Sequence, residues 1–241
     1  MSNFLLGKRA LVTGASKGIG LAIARSFISN GADVVICSRQ QPALESALSD
    51  LQKAGAGKVA GTTADVSKSS DVIRLFQFVD QQLGGLDILV NNAGIGIFRP
   101  AAALTVEEWD RVIGTNLSGA FYCTREALPR FTAAKGGRIV NISSLAGKNP
   151  FAGGAAYNAS KFGMNGLSEA TMLDHRFDNV AVTYVMPGSV DTHFSGEEGK
   201  KSSGWKVAPE DIAEIVLNVL HLPERTLISR IEVRPSRPQK D

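Results

Sequence analysis

RALVTGASKGIGLAIARSFI, residues 9–28, decides how the rest of the chain is read. RALVT is a short apolar run of strand length, rich in residues that suit a buried pleat. TGASKGIG breaks it with three glycines. LAIARSFI then returns apolar residues at helical spacing. Strand, tight turn and helix in immediate succession open a β-α-β unit.

The same alternation continues along the chain. Further candidate strands are 33–38, 58–64, 86–92, 137–144, 180–186 and 226–233, and amphipathic stretches fall near 18–29, 42–54, 69–83, 105–134, 155–177 and 208–221. The strand candidates are continuous Val/Ile/Leu runs, the mark of strands buried on both faces. Repeated strand–helix alternation predicts an α/β fold. We expect a doubly wound (Rossmann) parallel sheet of about seven strands, with helices on both faces and right-handed crossovers. No Pro/Ser-rich linker or low-complexity tract interrupts the series, so residues 1–241 read as a single domain. GEEGKKSSG, 196–204, reads as a mobile surface loop.

Composition narrows the function. Of 241 residues, 44% are hydrophobic and 20% charged, with a formal net charge of +3. That charge is too small to imply a nucleic-acid or membrane surface. The cysteines, Cys37 and Cys123, each sit in an apolar run, which argues for a reducing compartment and against disulfides. His175, His193 and His221 show no ligand spacing, so no metal site is expected. MSNFLLGKRALV lacks the apolar core of a signal peptide, and no apolar run approaches the ~18 residues of a membrane span. The expected setting is the cytoplasm.

The first turn supplies Gly14, Ser16, Lys17, Gly18, Ile19 and Gly20. Glycines let the backbone turn sharply and approach a ligand closely, and the following helix offers free N–H groups to a pyrophosphate. At the first strand-to-helix turn of a β-α-β unit, this points to dinucleotide binding. The spacing is G-x-x-x-G-x-G, and there is no Lys-Ser/Thr pair to make a P-loop. The second strand ends in Ser38-Arg39 with no acid to accept from a ribose 2′-hydroxyl. Arg39, with Lys17 in the turn, suits a 2′-phosphate and favours NADP(H); the alternative is a pair of solvated surface cations.

In GGAAYNASKFGMNG, 153–166, Tyr157 and Lys161 are four residues apart. On a helix they share one face, and an ammonium beside a phenol favours the phenolate. Alone, the pair reads sooner as a partly buried Tyr hydrogen-bonded to its neighbour, with a solvated Lys.

TGASKGIG, NNAG (91–94), the serines at 143 and 144, and YNASK (157–161) occur in this order. In that order the sequence resembles the classical short-chain dehydrogenase/reductase family, from about residue 7 to 192. The resemblance implies a cofactor half over about 1–140 and a catalytic and substrate half over about 141–241. Tyr157 would be the general acid/base, and Lys161 would hold the nicotinamide ribose and lower the Tyr pKa. Ser144, thirteen residues before the Tyr, would orient the substrate oxygen, leaving Ser143 a structural role. Asn116 would hold a proton-relaying water through its backbone carbonyl. Asp65 and Val66 match the pair that contacts adenine, the alternative for Asp65 being a helix cap. Asn91, Ala93 and Gly94 would lie against the adenosine ribose and nicotinamide, while Asn92 ties strand ends together. Pro187, Gly188, Val190 and Thr192 would bind the carboxamide, with Asp191 facing solvent.

By the same resemblance, hydride passes between NADP(H) and a carbonyl or secondary alcohol on a small molecule. The body of the sequence is similar to 3-oxoacyl-[acyl-carrier-protein] reductases and to broad-specificity carbonyl reductases. The ending TLISRIEVRPSRPQKD departs from the Gly-rich close of the acyl-carrier type and looks more like reductases acting on 3-hydroxy acids or small ketones and aldehydes. An acyl carrier protein is the alternative partner, docked by Arg130 and Arg176, and a non-catalytic NADP(H)-binding regulator is the alternative class. The pocket is expected to be lined by Ile95, Phe98, Leu145, Phe151, Phe194 and Trp205, with His193 near substrate. Trp109 and Phe121 read as core or subunit contacts. A homodimer or homotetramer through 105–134 and 155–177 is expected.

Overall fold

The strand β1 (Arg9–Thr13) is buried from Ala10 to Thr13, and its side chains divide between two layers. Ala10 and Val12 pack into one core with Phe27 of α1 (Gly18–Ser29), Leu44 of α2 (Gln41–Leu51) and Val216 of α7 (Pro209–His221). Leu11 points the other way, into a core with Phe76 of α3 (Ser69–Leu83) and Phe131 of α5 (Gly119–Ala133). β2 (Asp33–Ser38) splits likewise, Val34 and Ile36 against Val35 and Cys37. The period of two sends alternate apolar residues to opposite faces, and each face needs its own helices. A computed structural model describes residues 3–192 and 204–238 of the chain.

Five further strands complete the sheet: β3 (Val59–Thr63), β4 (Ile88–Asn91), β5 (Gly137–Ile142), β6 (Val180–Pro187) and β7 (Arg230–Val233). All seven are parallel, in the order β3-β2-β1-β4-β5-β6-β7. The chain works outward from β1 to β3, then returns beside β1 and works outward again. The carboxyl ends of β1 and β4 therefore flank a topological switch point, where open α/β sheets bind ligands. The chain forms a single-domain doubly wound sheet with helices on both faces.

The stretch 105–134 is not one helix. α4 (Val106–Ile113) begins at a capping box, Glu108 N–H donating to Thr105 Oγ1 and Thr105 N–H to Glu108 Oε2, each at 3.2 Å. A π-turn over Gly114–Ser118 then leads directly into α5. α6 (Ala155–His175) is continuous. The expectations for His193, Phe194 and nearly all of 196–204 fall outside the described residues. Among the described residues, no helix is long and apolar enough to cross a membrane.

Candidate active site

The β1–α1 turn is built for close approach. Gly14 has φ +63°, and a Cβ added there would lie 2.7 Å from Ala93 Cα. Only glycine lets this turn sit against the chain leaving β4. α1 starts after Lys17 with no side-chain cap and no acid in its first turn, so its N-terminal N–H groups and dipole face outward uncompensated. Ser38 at the end of β2 donates to Ser16 Oγ at 3.0 Å, tying the turn to the neighbouring strand.

Asn92 holds the switch point shut, as expected of it. Its Nδ2 donates to the carbonyls of Thr13 (2.9 Å) and Gly14 (3.0 Å), and Thr13 Oγ1 accepts from the N–H groups of Asn92 and Ala93. Gly20 is small for this reason: a Cβ there would meet Asn92 Nδ2 at 2.3 Å. Gly20 packs helix on loop and does not line the cavity.

The cavity at the carboxyl ends of the strands has a volume of about 900 Å³. One wall is the turn (Gly14, Ser16, Lys17, Gly18, Ile19) with Ser38 and Arg39. The lining continues through Val66, Ala93 and Gly94 to Ser144, Tyr157 and Lys161, a Cβ on Gly94 lying 3.8 Å from Lys161 Nζ. Pro187, Gly188, Val190 and Thr192 close it, and a Cβ on Gly18 would touch Thr192 Cγ2 at 3.2 Å. Ile95, Phe98, Leu145, Phe151 and Trp205 line it as expected.

Four expected residues stand behind the lining. Asn91 is buried and turned away, because successive strand residues face opposite sides. Its Nδ2 donates to Asn141 Oδ1 at 2.9 Å and Thr124 Oγ1 at 3.2 Å, bracing β4 on β5 and α5. Gly20 is the second. Asp65 faces an adjoining cleft shared with Arg39 and Arg74, where its carboxylate accepts from Ser67 N–H and Oγ. It is not a helix cap, since Lys68 holds that position before α3. Asn116, fully buried in the π-turn, is the fourth. Its Oδ1 accepts from Ile95 N–H at 2.8 Å, and its Nδ2 donates to Ile95 O (2.9 Å) and Ser160 Oγ (3.0 Å). The side chain thus pins the loop after β4 to α6, one residue from Lys161.

Further expectations change. Asp191 is half-buried, and its N–H donates to Val207 O at 2.9 Å. Arg130 grips Asp80 with two N–H groups (2.9 and 2.7 Å) and lies over the Phe76 ring, so its charge is spent inside the fold and is not offered to a carrier protein. Of the two roles expected for Trp109 and Phe121, their exposure rules out the core and leaves subunit contact open.

The two adjacent serines separate cleanly. Ser143 Oγ donates to Asn165 Oδ1 at 2.5 Å, a structural bond to α6. Ser144 Oγ accepts from Ala146 N–H at 3.1 Å and lies on the Tyr157 side. Tyr157 and Lys161 share one face of α6, Nζ lying 5.8 Å from the ring centroid. Burial pushes the Tyr157 phenol above its ordinary pKa, with the Ser144 hydroxyl working the other way. The Lys161 amine, buried and donating to Ile142 O at 2.9 Å, is pushed down to about 8. The expected lowering of the phenol by Lys161 is therefore not what this structure has: burial disfavours both charges, and Nζ points to a carbonyl. Cys37, raised to about 11 by burial, is no nucleophile.

The sequence reading missed Gln40, Asn149, Ser189, Arg234 and Pro235 on the cavity wall. The signal for the last two was topological, since every strand of a parallel sheet delivers its following residues to one edge.

The uncapped α1 terminus, the close turn and the acid-free β2 end fit a dinucleotide, and Tyr157 with Ser144 beside Lys161 fits proton transfer to a carbonyl. Fold and site together define a dinucleotide-binding oxidoreductase of the doubly wound class. A profile of the short chain dehydrogenase family matches residues 8–203. The chain belongs to the short-chain dehydrogenase/reductase family. It is 36% identical over 234 residues to sepiapterin reductase of Chlorobaculum tepidum, covering 94% of this chain and 95% of that one. A metagenomic short-chain oxidoreductase in complex with NADP superposes with TM-score 0.85 at 39% identity, over 97% of this chain and 99% of the other. An alcohol dehydrogenase from Thermococcus sibiricus complexed with 5-hydroxy-NADP gives TM-score 0.89 at 30% identity, with the same coverage.

Proposed function

We propose that the chain is an NADP(H)-dependent oxidoreductase that interconverts a small carbonyl compound and its secondary alcohol. The observation that carries this reading is that Ser144, Tyr157 and Lys161 line one cavity together with the glycine turn. Bound NADP(H) supplies or accepts the hydride. Tyr157, kept protonated by burial, gives its proton to the carbonyl oxygen in reduction and takes it back in oxidation. Ser144 Oγ hydrogen-bonds the same oxygen. Lys161 holds the ribose hydroxyls, and the Asn116 backbone carbonyl holds a water that relays protons towards it. Lys17 and Arg39 take the 2′-phosphate, which agrees with the NADP complexes among the structural neighbours. Gly14 to Gly18, Ile19, Ser38, the Asp65-Val66 pair, Ala93, Gly94 and Pro187 to Thr192 complete the cofactor contacts. The buried thiols Cys37 and Cys123 suit a reducing, cytoplasmic setting.

Tyr157→Phe tests the assignment. It should cut turnover by at least about 10²-fold, with NADPH affinity largely kept. The assay is NADPH oxidation against a carbonyl panel that includes sepiapterin, with binding titrated separately. A near wild-type rate in the variant overturns the role of Tyr157, and NADPH binding without turnover of any carbonyl by the wild type would favour a regulator.

A further inference from the structure

Arg234 follows β7 and lines the same cavity. Pairing of β7 with β6 puts it there: Val233 lies opposite Pro187, and Gly188 N–H donates to Val233 O at 2.8 Å. A Cβ on Gly188 would lie 3.1 Å from Leu145 Cδ1 and 3.4 Å from Pro235 Cδ, so this wall adjoins the segment just after Ser144. Pro235 restricts Arg234 to extended backbone, which keeps the guanidinium on the Glu232 side of the strand.

The charge there is not balanced. Glu232 is shared between Lys148 Nζ (2.5 Å) and Arg234 Nη2 (3.1 Å), one carboxylate for two cations. Among the described residues Glu232 is the one partner of the Arg234 guanidinium, and it takes a single N–H of the five that arginine offers. Lys17, Arg39, Lys161, Lys206 and Arg234 line the cavity, and among the described lining residues there is no Asp or Glu. The cofactor site proposed above uses the first three and Lys206 is engaged, its Nζ 5.9 Å from the Trp205 ring centroid, which leaves Arg234, on the Ser144 side. Beside the proton donor the lining is aromatic, Phe98 lying edge-on to both Phe151 (5.6 Å) and Tyr157 (5.5 Å).

We propose that Arg234 is the specificity residue of this site, holding an oxyanion group of the substrate. The substrate class is then a carbonyl compound with an apolar body and a carboxylate or phosphate at its other end. A guanidinium fork is suited to either, binding two oxygens at once. This rests on the oxidoreductase reading above.

The test compares 4-carboxybenzaldehyde, 4-formylphenyl phosphate and the neutral methyl 4-formylbenzoate in wild type, Arg234→Gln and Arg234→Lys, with NADPH titrated separately. The wild type should favour one of the charged aldehydes over the ester by about tenfold or more in kcat/KM, chiefly through KM. That ratio should collapse towards one in Arg234→Gln and recover in part in Arg234→Lys. A ratio unchanged by Arg234→Gln overturns the proposal, as does reduction of the ester alone. Weaker NADPH binding with equal loss on all three would assign Arg234 to the cofactor and overturn it as well. Reduction of none of the three by wild type, with turnover of another carbonyl of the panel, overturns the proposed substrate class and leaves the oxidoreductase reading standing; no turnover of any carbonyl brings down both.

Discussion

Lys161→Met in the cofactor-free protein isolates the cost of burying an amine in this wall. Lys161 is 4% exposed, and its amine is pushed down from 10.5 to about 8 by burial. At 1.36 kcal/mol per pKa unit, the folded state carries a penalty of about 3 kcal/mol wherever the lysine is protonated both folded and unfolded. The depressed folded pKa sets the sign. Below about pH 8 the penalty is complete, and above 10.5 it vanishes, so wild-type stability rises with pH between those values relative to the variant. Tyr157 titrates in both proteins and largely cancels. Urea unfolding of both proteins at pH 7 to 10 reads the difference, and the advantage of the methionine variant over wild type should shrink by about 2 to 3 kcal/mol across that range. Parallel stability curves would show that Lys161 is not desolvated as its surroundings indicate, and would refute the reasoning.

The remaining expectations follow from the same geometry. Arg39→Asp should reverse the cofactor preference, measured as the ratio of kcat/KM with NADPH to that with NADH; an unchanged ratio would remove Arg39 from 2′-phosphate binding. Ser144→Ala should slow reduction, while Ser143→Ala should leave kcat nearly intact and cost about 1 kcal/mol of stability through its bond to Asn165. The reverse pattern would exchange their roles. Phe121 of α5, with Phe162 and Leu173 of α6, leaves apolar surface exposed on the two long helices, so sedimentation should report a homodimer or homotetramer. A monomer at micromolar concentration would refute it.

The five inner strands were legible because burial on both faces leaves apolar runs, whereas the edge strands β3 and β7 are half-exposed and weaker in pattern. The break at Gly114–Ser118 was not legible: apolar spacing in 105–134 fits a helix on either side of it, and the cause is Asn116 reaching a loop distant in sequence. Asn91 and Asn92 could not be told apart in the motif NNAG, since which of two neighbours faces the cavity depends on the exact end of β4. Motif spacing brought Tyr157 and Lys161 together, but their protonation depends on burial by β5 and the turn after it, which no motif encodes. Arg234 was quoted only as part of an unusual ending, because its place is fixed by pairing between β6 and β7.

The π-turn between α4 and α5 has a mutational consequence. Such a turn holds one residue more than the regular helix would, and each residue advances a helix by about 100°. Deleting a residue beside Asn116 within Gly114–Ser118 would return the stretch to a regular helix with α4 and α5 in nearly the same phase, because the wider turn absorbs the extra residue. It would also close the bulge that lets the Asn116 side chain reach Ile95 and Ser160. In this stretch a single-codon deletion would erase the bond that ties the loop after β4 to α6 while keeping the helix.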